Sequence, residues 1–150
     1  MRKSKYNHKT VTYKGIKFAS IMERDRYIIL EALQKAGKIT GLVLQVRFEI
    51  LPRMMKYLEV QTKKGTKLKS YVDETAVHYT CDFAYHYNGK YVIEEVKSDG
   101  SKRARDYSLR RKLVKKMIRD HNELFPEKEQ WVFNQIGMKK NNDILADVTF

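Results

Sequence analysis

The stretch HYTCDFAYHYNGKYVIEEVKS, residues 78–98, decides the fold class of this 150-residue chain. Apolar residues alternate with polar ones on both sides of Asn88-Gly89, a dipeptide that favours a two-residue hairpin turn. The stretch is therefore predicted to form a β-hairpin in which Tyr87 faces Lys90. Because the turn fixes the register, every other cross-strand pair follows by counting outward.

This register places two carboxylates opposite each other. Counting back from the turn, Asp82 faces Glu95 and Thr80 faces Lys97. Directly opposed like charges destabilise a sheet, so we expect a divalent metal between them or a strongly raised pKa on one of them. Lys97 shares the face of Glu95 because strand side chains alternate. Glu94 falls on the other face, where a structural or exposed role is expected.

Two facing carboxylates beside a lysine could form a hydrolytic site for a phosphodiester. Mg²⁺ takes oxygen ligands, and such a metal lowers the pKa of a bound water and neutralises phosphate charge. Lys97 would orient that water or stabilise the developing negative charge. The alternative is an exposed sheet face with scattered charges, since acid-x-Lys triplets have little specificity in a chain rich in Glu and Lys.

The charge balance indicates a polyanionic partner. The chain has 31 Lys and Arg against 18 Asp and Glu, a net charge of +13. Nucleic acid is the first expectation and an acidic membrane surface the second. No apolar run approaches the ~20 residues of a membrane span, and the N-terminus lacks the apolar stretch of a signal peptide. The single Cys81 excludes an internal disulfide. A cytoplasmic protein without a membrane partner is therefore expected.

The segments around the hairpin predict one α/β domain with a mixed sheet over residues 1–150. The predicted elements are a flexible basic arm at 1–9, a helix at 20–36, a strand at 42–51, an inserted hairpin at 53–74, a helix from 101 to about 123, a strand at 130–136 and a C-terminal tail at 137–150.

Glu23 admits two interpretations. Ser20 is a good N-cap for the first helix, and Glu23 three residues later completes a capping box. Alternatively, Glu23 is a third carboxylate that reaches the metal from the first helix. The local pattern alone favours the cap.

The second helix is strongly basic, and Asp106 is the one acidic residue between positions 102 and 119. Surfaces that serve solubility alone usually mix both signs, so phosphate contact is favoured over a solvated face. Such contacts fix the position of DNA without reading its sequence. Seven basic residues of this segment are predicted to contact DNA: Lys102, Arg103, Arg105, Arg110, Arg111, Lys112 and Lys115. Two further basic residues, Lys116 and Arg119, follow in the same segment.

Several separated motifs, covering about residues 10–120, resemble the PD-(D/E)xK nuclease superfamily. A closer resemblance is to a phage-encoded, endonuclease-like family of unknown function within it. Cys81 departs from the superfamily pattern, which has proline before the aspartate. The matching motifs are Gly15-Ile16-Lys17-Phe18-Ala19-Ser20 with Glu23 and Tyr27, then Leu42-Val43-Leu44-Gln45-Val46-Arg47-Phe48-Glu49-Ile50, then Asp82-Phe83 and Glu95-Val96-Lys97.

The resemblance implies an αβββαβ, restriction-endonuclease-like core and a metal-dependent DNA endonuclease. Glu23, Asp82 and Glu95 would bind Mg²⁺ with help from the carbonyl of Val96, and Mn²⁺ is expected to substitute. Lys97 would serve the water or the transition state.

Gln45 lies on the polar face of its predicted strand, where it either lines the site or is simply exposed. By analogy with Holliday-junction resolvases, the substrate would be branched DNA in phage recombination or replication. A resolvase needs two active sites and therefore implies a homodimer, here in the host cytoplasm. The alternative function is a non-catalytic nucleic-acid-binding protein of the same fold. The insertion at 53–74 could contact either DNA or a second subunit.

Overall fold

A computed structural model of the chain describes residues 9–97, 106–137 and 143–149. The predicted basic arm, apart from its last residue, and the start of the second predicted helix lie outside these ranges. The chain divides into two compact units, each described by itself. Unit 1 comprises Met1–Val46 and Cys81–Phe150, and unit 2 comprises Arg47–Thr80.

Unit 1 is a mixed α/β structure, as the sequence predicts. Its elements are β1 (Val11–Tyr13), β2 (Ile16–Phe18), α1 (Ile21–Lys35), β3 (Thr40–Leu44), β8 (Phe83–Tyr87), β9 (Lys90–Val96), α2 (Tyr107–Leu124) and β10 (Gln130–Ile136), and the strands numbered between β3 and β8 belong to unit 2. The four-stranded sheet has the order β10-β9-β8-β3, with β10 parallel to β9 and the other neighbours antiparallel. Along the chain, α1 is followed by three strands of this sheet, then by α2 and the last strand.

The hairpin of β8 and β9 has the predicted register from Tyr87 opposite Lys90 to Phe83 opposite Glu94. Asn88 and Gly89 both have positive φ, at 48° and 70°, as a turn matched to the twist of a hairpin requires.

Beyond Phe83 the predicted register is wrong. Asp82 lies in a bend before β8 rather than in the ladder opposite Glu95. Thr80 pairs with Arg47 in unit 2 instead of facing Lys97. The first predicted strand of the hairpin is therefore two strands, one in each unit.

The single strand predicted at 42–51 is also wrong. β3 ends at Leu44, and the next strand begins at Arg47 in a different sheet. Gln45 between them has a φ of 55°, a left-handed conformation that interrupts an extended strand. The two bends are joined by backbone hydrogen bonds: Gln45 N–H donates to Asp82 O at 3.0 Å, and Cys81 N–H donates to Val46 O at 2.9 Å.

Both ends of α1 follow from local sequence. The Ser20 hydroxyl accepts a hydrogen bond from Glu23 N–H at 3.1 Å, as the predicted N-cap requires. At the other end Gly37 has a φ of 72°. Its N–H donates to Gln34 O and that of Lys38 donates to Leu33 O, which is the Schellman pattern.

The apolar residues of α2 are buried only in part. Val114 and Ile118 are buried, but Leu109 is largely exposed. Tyr107, at the first position of α2, is buried instead.

The described part of the C-terminal tail packs against unit 1. Leu145 belongs to the buried core together with Leu30 of α1 and Val92 of β9, and Ile144 and Val148 pack against it. The segment 143–149 is therefore part of the folded core rather than a loose appendage.

Unit 2 consists of two strand pairs. β4 (Arg47–Leu51) pairs with β7 (Val77–Thr80), and β5 (Met54–Thr62) pairs with β6 (Gly65–Glu74), all antiparallel. The second pair corresponds to the hairpin predicted at 53–74.

Candidate active site

The carboxyl end of β9 carries the acid-x-Lys triplet. Glu95 is 8% exposed, and Lys97 follows directly after the strand, where its N–H donates to Ile136 O of the parallel strand β10 at 2.9 Å. The triplet therefore lies at one end of the sheet, on a backbone held from the β10 side.

Asp82 reaches the same place from the bend before β8. Its Oδ2 accepts a hydrogen bond from Val96 N–H at 2.7 Å, and its own N–H donates to Glu94 O at 3.1 Å. These two bonds fasten Asp82 to the backbone of β9 on either side of Glu95. The predicted neighbourhood of Asp82 and Glu95 is thus present, although a bend produces it and not a ladder pair.

The electrostatics of Asp82 reveal which charges surround it. Burial raises the pKa of its carboxyl group to about 7, and the hydrogen bond from Val96 N–H works against this shift. The negative charges of Glu23 and Glu95 raise the pKa further, and the positive charge of Lys97 lowers it. The structure therefore brings together the four side chains that the sequence proposed as catalytic.

The structure bears on the two interpretations of Glu23 in different ways. The Ser20 N-cap is present, and it uses the backbone N–H of Glu23. The side chain of Glu23 lines a pocket and acts electrostatically on Asp82, so its role as a metal ligand stays a prediction.

Gln45 lines the same pocket, which has a volume of about 440 Å³. Its floor is apolar, with Phe18, Leu44 and Phe83, and Lys17 also contributes to the lining. Non-glycine residues with positive φ are uncommon and cluster at functional sites, so the bend at Gln45 marks this edge of the site. The hydrogen bond between Gln45 N–H and Asp82 O ties it to the carboxylates.

Tyr107 is a site residue that the sequence analysis missed. Its hydroxyl accepts a hydrogen bond from Gln135 and donates one to Glu95. Burial, together with the charge of Glu95, raises the pKa of Tyr107 to about 12. Lys97 Nζ and the Arg111 guanidinium lie 5.9 and 5.5 Å from the centre of its ring. No local pattern marks Tyr107, since its burial depends on the docking of α2 against β10.

The basic residues of α2 begin at this site. Arg111 contacts Tyr107, while Arg110, Lys112 and Lys115 are exposed. Arg110 also forms an exposed ion pair with Asp106 at 2.9 Å. The predicted DNA contacts Lys102, Arg103 and Arg105 lie outside the described residues.

On the other face of β9, Glu94 is fully buried in a neutralising network. Arg26 of α1 donates to both of its carboxylate oxygens, at 2.6 and 2.9 Å. Tyr85 and Asn134 donate to Glu94 at 2.6 and 2.8 Å, so a structural role for this carboxylate, one of the two roles expected from the sequence, is confirmed.

The same Arg26 joins the C-terminal segment to the network. It donates to both carboxylate oxygens of Asp143, at 2.7 and 2.8 Å. Burial alone would lower the pKa of Arg26, but Glu94 and Asp143 raise it above its ordinary value. Arg26 lies one turn beyond Glu23, so this network also fixes the turn of α1 that presents Glu23 to the site.

The described residues hold no group of three or more His, Cys, Asp or Glu side chains arranged to bind a metal ion. The donor chemistry nevertheless suits a hard cation, because Glu23 and Glu95 both act electrostatically on Asp82 and Glu95 is buried. Mg²⁺ usually retains several waters and needs only one or two carboxylates together with substrate phosphates. Asp82 and Glu95 meet that requirement.

A protein family described as "Protein of unknown function (DUF1064)" matches residues 3–139. The chain belongs to this family. The match spans both units and includes Glu23, Asp82, Glu95 and Lys97. No curated protein and no solved structure matches the chain. Among the described residues, neither helix has the length and apolarity needed to cross a membrane.

Proposed function

We propose that this protein is a Mg²⁺-dependent DNA endonuclease of the PD-(D/E)xK type. The observation that carries the proposal is the convergence of Glu23, Asp82, Glu95 and Lys97. Burial first, and then the charges of the two neighbouring glutamates, raise the pKa of Asp82 to about 7. A cation would relieve the repulsion among these carboxylates, and perturbed carboxylates of this kind are typical of catalytic sites.

The sheet supports the same assignment. The order α1, β3, β8, β9, α2, β10, with an antiparallel triplet and a parallel last strand, is compatible with an αβββαβ core. The carboxylates come from α1, from the bend before β8 and from the end of β9, whereas the resemblance implied a strand position for Asp82. The fold alone would leave the chemistry open, so the proposal rests on the side chains.

In this proposal each side chain of the candidate active site has a separate role. Asp82 and Glu95 hold the cation, with Glu23 and the Val96 carbonyl as further donors. When bound, Mg²⁺ or Mn²⁺ would polarise a phosphate oxygen and lower the pKa of a water. Lys97 positions the attacking water or stabilises the negative charge that develops on the phosphate. Tyr107 orients Glu95 through its hydroxyl.

DNA is the proposed substrate because of the charge distribution. The net charge is +13, and α2 carries its exposed cations from Arg110 onward, beginning next to the carboxylates. Such a surface binds phosphates without reading bases, which suits recognition of DNA shape. The proposed substrate is branched DNA in phage recombination or replication. The protein would act as a homodimer with two active sites, in the host cytoplasm.

A non-catalytic DNA-binding protein is the second candidate. It is favoured by the lack of a ready-made three-ligand metal group among the described residues. In that case the carboxylates would have no catalytic role, and the basic surface alone would carry the function.

The deciding experiment is a cleavage panel of supercoiled plasmid and of linear, nicked, flapped and four-way DNA with Mg²⁺. We expect cleavage by the wild type and by Asp25→Asn, a matched change in an exposed ion pair of α1. Asp82→Asn and Lys97→Ala should each lower the rate at least 100-fold, about 3 kcal/mol in transition-state stabilisation. Cleavage that survives both changes would refute the site, and a wild type that binds DNA but cuts none of these forms with Mg²⁺ or Mn²⁺ would establish the second candidate.

A further inference from the structure

The ribbon formed by β5 and β6 contributes nothing to the candidate active site. The two strands form a sheet of their own, with nine cross-strand pairs from Met54–Glu74 to Thr62–Gly65. Two-stranded ribbons are only marginally stable in water. Almost every residue of this one is exposed, so both of its faces are open to a partner surface.

Its register separates two faces of different chemistry. Opposed residues share a face, and successive pairs alternate between the faces. We call one the apolar face, made of Met55, Tyr57, Leu68 and Val72 around Glu59. We call the other the lysine face, made of Lys56, Lys67 and Lys69 opposite Tyr71, Val60 and Leu58 respectively.

The lysine face is strongly basic towards its turn. Lys63 and Lys64 form the turn, Lys67 and Lys69 follow on the face, and positions 60–71 contain no Asp or Glu. Lys56, nearer the base of the ribbon, already lies 3.4 Å from Asp73. The uncompensated charge therefore lies in the outer half.

Charge complementarity selects the partner. A second copy placed on this face would bring lysines against lysines, whereas a polyanion would be neutralised by them. A two-stranded ribbon also fits the major groove of B-DNA, and nine residues at about 3.4 Å each extend roughly 30 Å along it. The aliphatic stems of lysines beside Leu58 and Val60 suit contact with the sugar edges of a backbone.

We infer that the lysine face and turn of the β5–β6 ribbon form a DNA-contact surface additional to that of α2. This inference depends on the proposed function only in that the polyanion is DNA. The ribbon holds the duplex through phosphate contacts, and the carboxylates of unit 1 are not required for that binding.

The test measures the affinity for a fluorescein-labelled duplex of about 30 base pairs by anisotropy, in EDTA, from about 50 to 300 mM salt. Each phosphate contact contributes roughly 0.9 to the slope of log K against log salt concentration. Lys67→Gln/Lys69→Gln should therefore reduce the slope by about 2 and weaken binding about tenfold or more at the lower salt concentrations.

The matched control removes the same charge elsewhere. Lys38 and Lys90 are exposed, at the end of the β3–β8–β9 sheet remote from Asp82. Lys38→Gln/Lys90→Gln should leave the slope unchanged, as should Tyr57→Thr/Leu68→Thr on the apolar face. Circular dichroism of each variant establishes that it is folded.

An unchanged slope in Lys67→Gln/Lys69→Gln, or equal losses in the lysine control, would overturn the inference. So would a change in oligomeric state with no change in the slope, which would assign the lysine face to a second copy. The two proposals fail separately: a wild type that cleaves DNA but binds it independently of the ribbon removes only this inference. A ribbon-dependent affinity without cleavage of any DNA removes only the proposed endonuclease.

Discussion

Glu94 and Glu95 are neighbours on β9, yet they lie in opposite electrostatic surroundings. Glu94 faces Arg26, Tyr85 and Asn134, which neutralise and hydrogen-bond it completely. Glu95 faces the side of Asp82 and Glu23, where burial and, after it, the neighbouring negative charges raise the pKa of Asp82 to about 7. Burial of the two glutamates is similar, so the difference lies in the charges that surround them.

The comparison separates a structural glutamate, Glu94, from a glutamate of the candidate active site, Glu95. The arginine of this protein neutralises Glu94, whereas two further carboxylates lie near Glu95. Clusters of like charge at functional sites usually favour activity at the expense of stability. The following predictions test whether the two faces of β9 differ in this way.

The largest effect is expected on the Glu94 side. Arg26→Ala leaves Glu94 buried without its cation and should lower the free energy of unfolding by about 3–5 kcal/mol, measured by urea denaturation. Arg24→Ala, two residues earlier, removes only an exposed ion pair with Asp25 and should cost under about 1 kcal/mol. An equal decrease in the free energy of unfolding of the two variants would show that the buried network stabilises the protein no more than an exposed ion pair does.

An effect of similar size and opposite sign is expected on the Glu95 side. Because the folded-state pKa of Asp82 lies above its ordinary 3.8, folding favours the protonated form. That stabilisation is fully present below about pH 4 and is lost as the pH rises through about 7. Asp82→Asn should therefore stabilise the protein at about pH 8 by on the order of 4 kcal/mol, and little at about pH 4.

Urea denaturation in EDTA at both pH values checks this expectation. The exposed Asp25→Asn is its control and should show no such pH-dependent gain. Destabilisation by Asp82→Asn at the higher pH would mean that Asp82 is already neutralised within the fold.

The smallest effect concerns Tyr107. Tyr107→Phe removes the hydroxyl that donates to Glu95, so the cleavage rate should fall about tenfold, near 1.4 kcal/mol, with DNA affinity unchanged. Tyr91→Phe, at the remote end of β9, should leave the rate as it is. If DNA affinity falls in place of the rate, Tyr107 belongs to the DNA-binding surface and does not position Glu95.

The parts of the fold governed by local chemistry were predictable. Asn88-Gly89 set the hairpin register as far as Phe83, and Ser20 with Glu23 set the start of α1. The bends at Gln45 and Asp82 were not predictable, because the apolar alternation continues through them. Glycine usually marks a position with positive φ, but the residue with positive φ here is a glutamine.

Apart from Tyr107, the residues that meet at the candidate site were predictable from the sequence, but their geometry was not. Asp82 and Glu95 were expected as a ladder pair, whereas the Val96 N–H brings Asp82 to β9 from a bend. The Arg26 network escaped prediction because its ion pairs join residues 68 and 117 positions apart. Contacts of such separation leave no periodic trace in the sequence.

A Mg²⁺ titration of thermal stability tests the central claim most directly, because it asks whether the carboxylates at Asp82 bind a cation. We predict that the melting temperature of the wild type and of Asp25→Asn rises with Mg²⁺ concentration, by the equivalent of about 2.7 kcal/mol at one hundred times the dissociation constant. Asp82→Asn should begin at a higher melting temperature at about pH 8 and respond little to the cation. A wild type that does not respond to Mg²⁺ or Mn²⁺, or an Asp82→Asn variant that responds equally, would contradict the account.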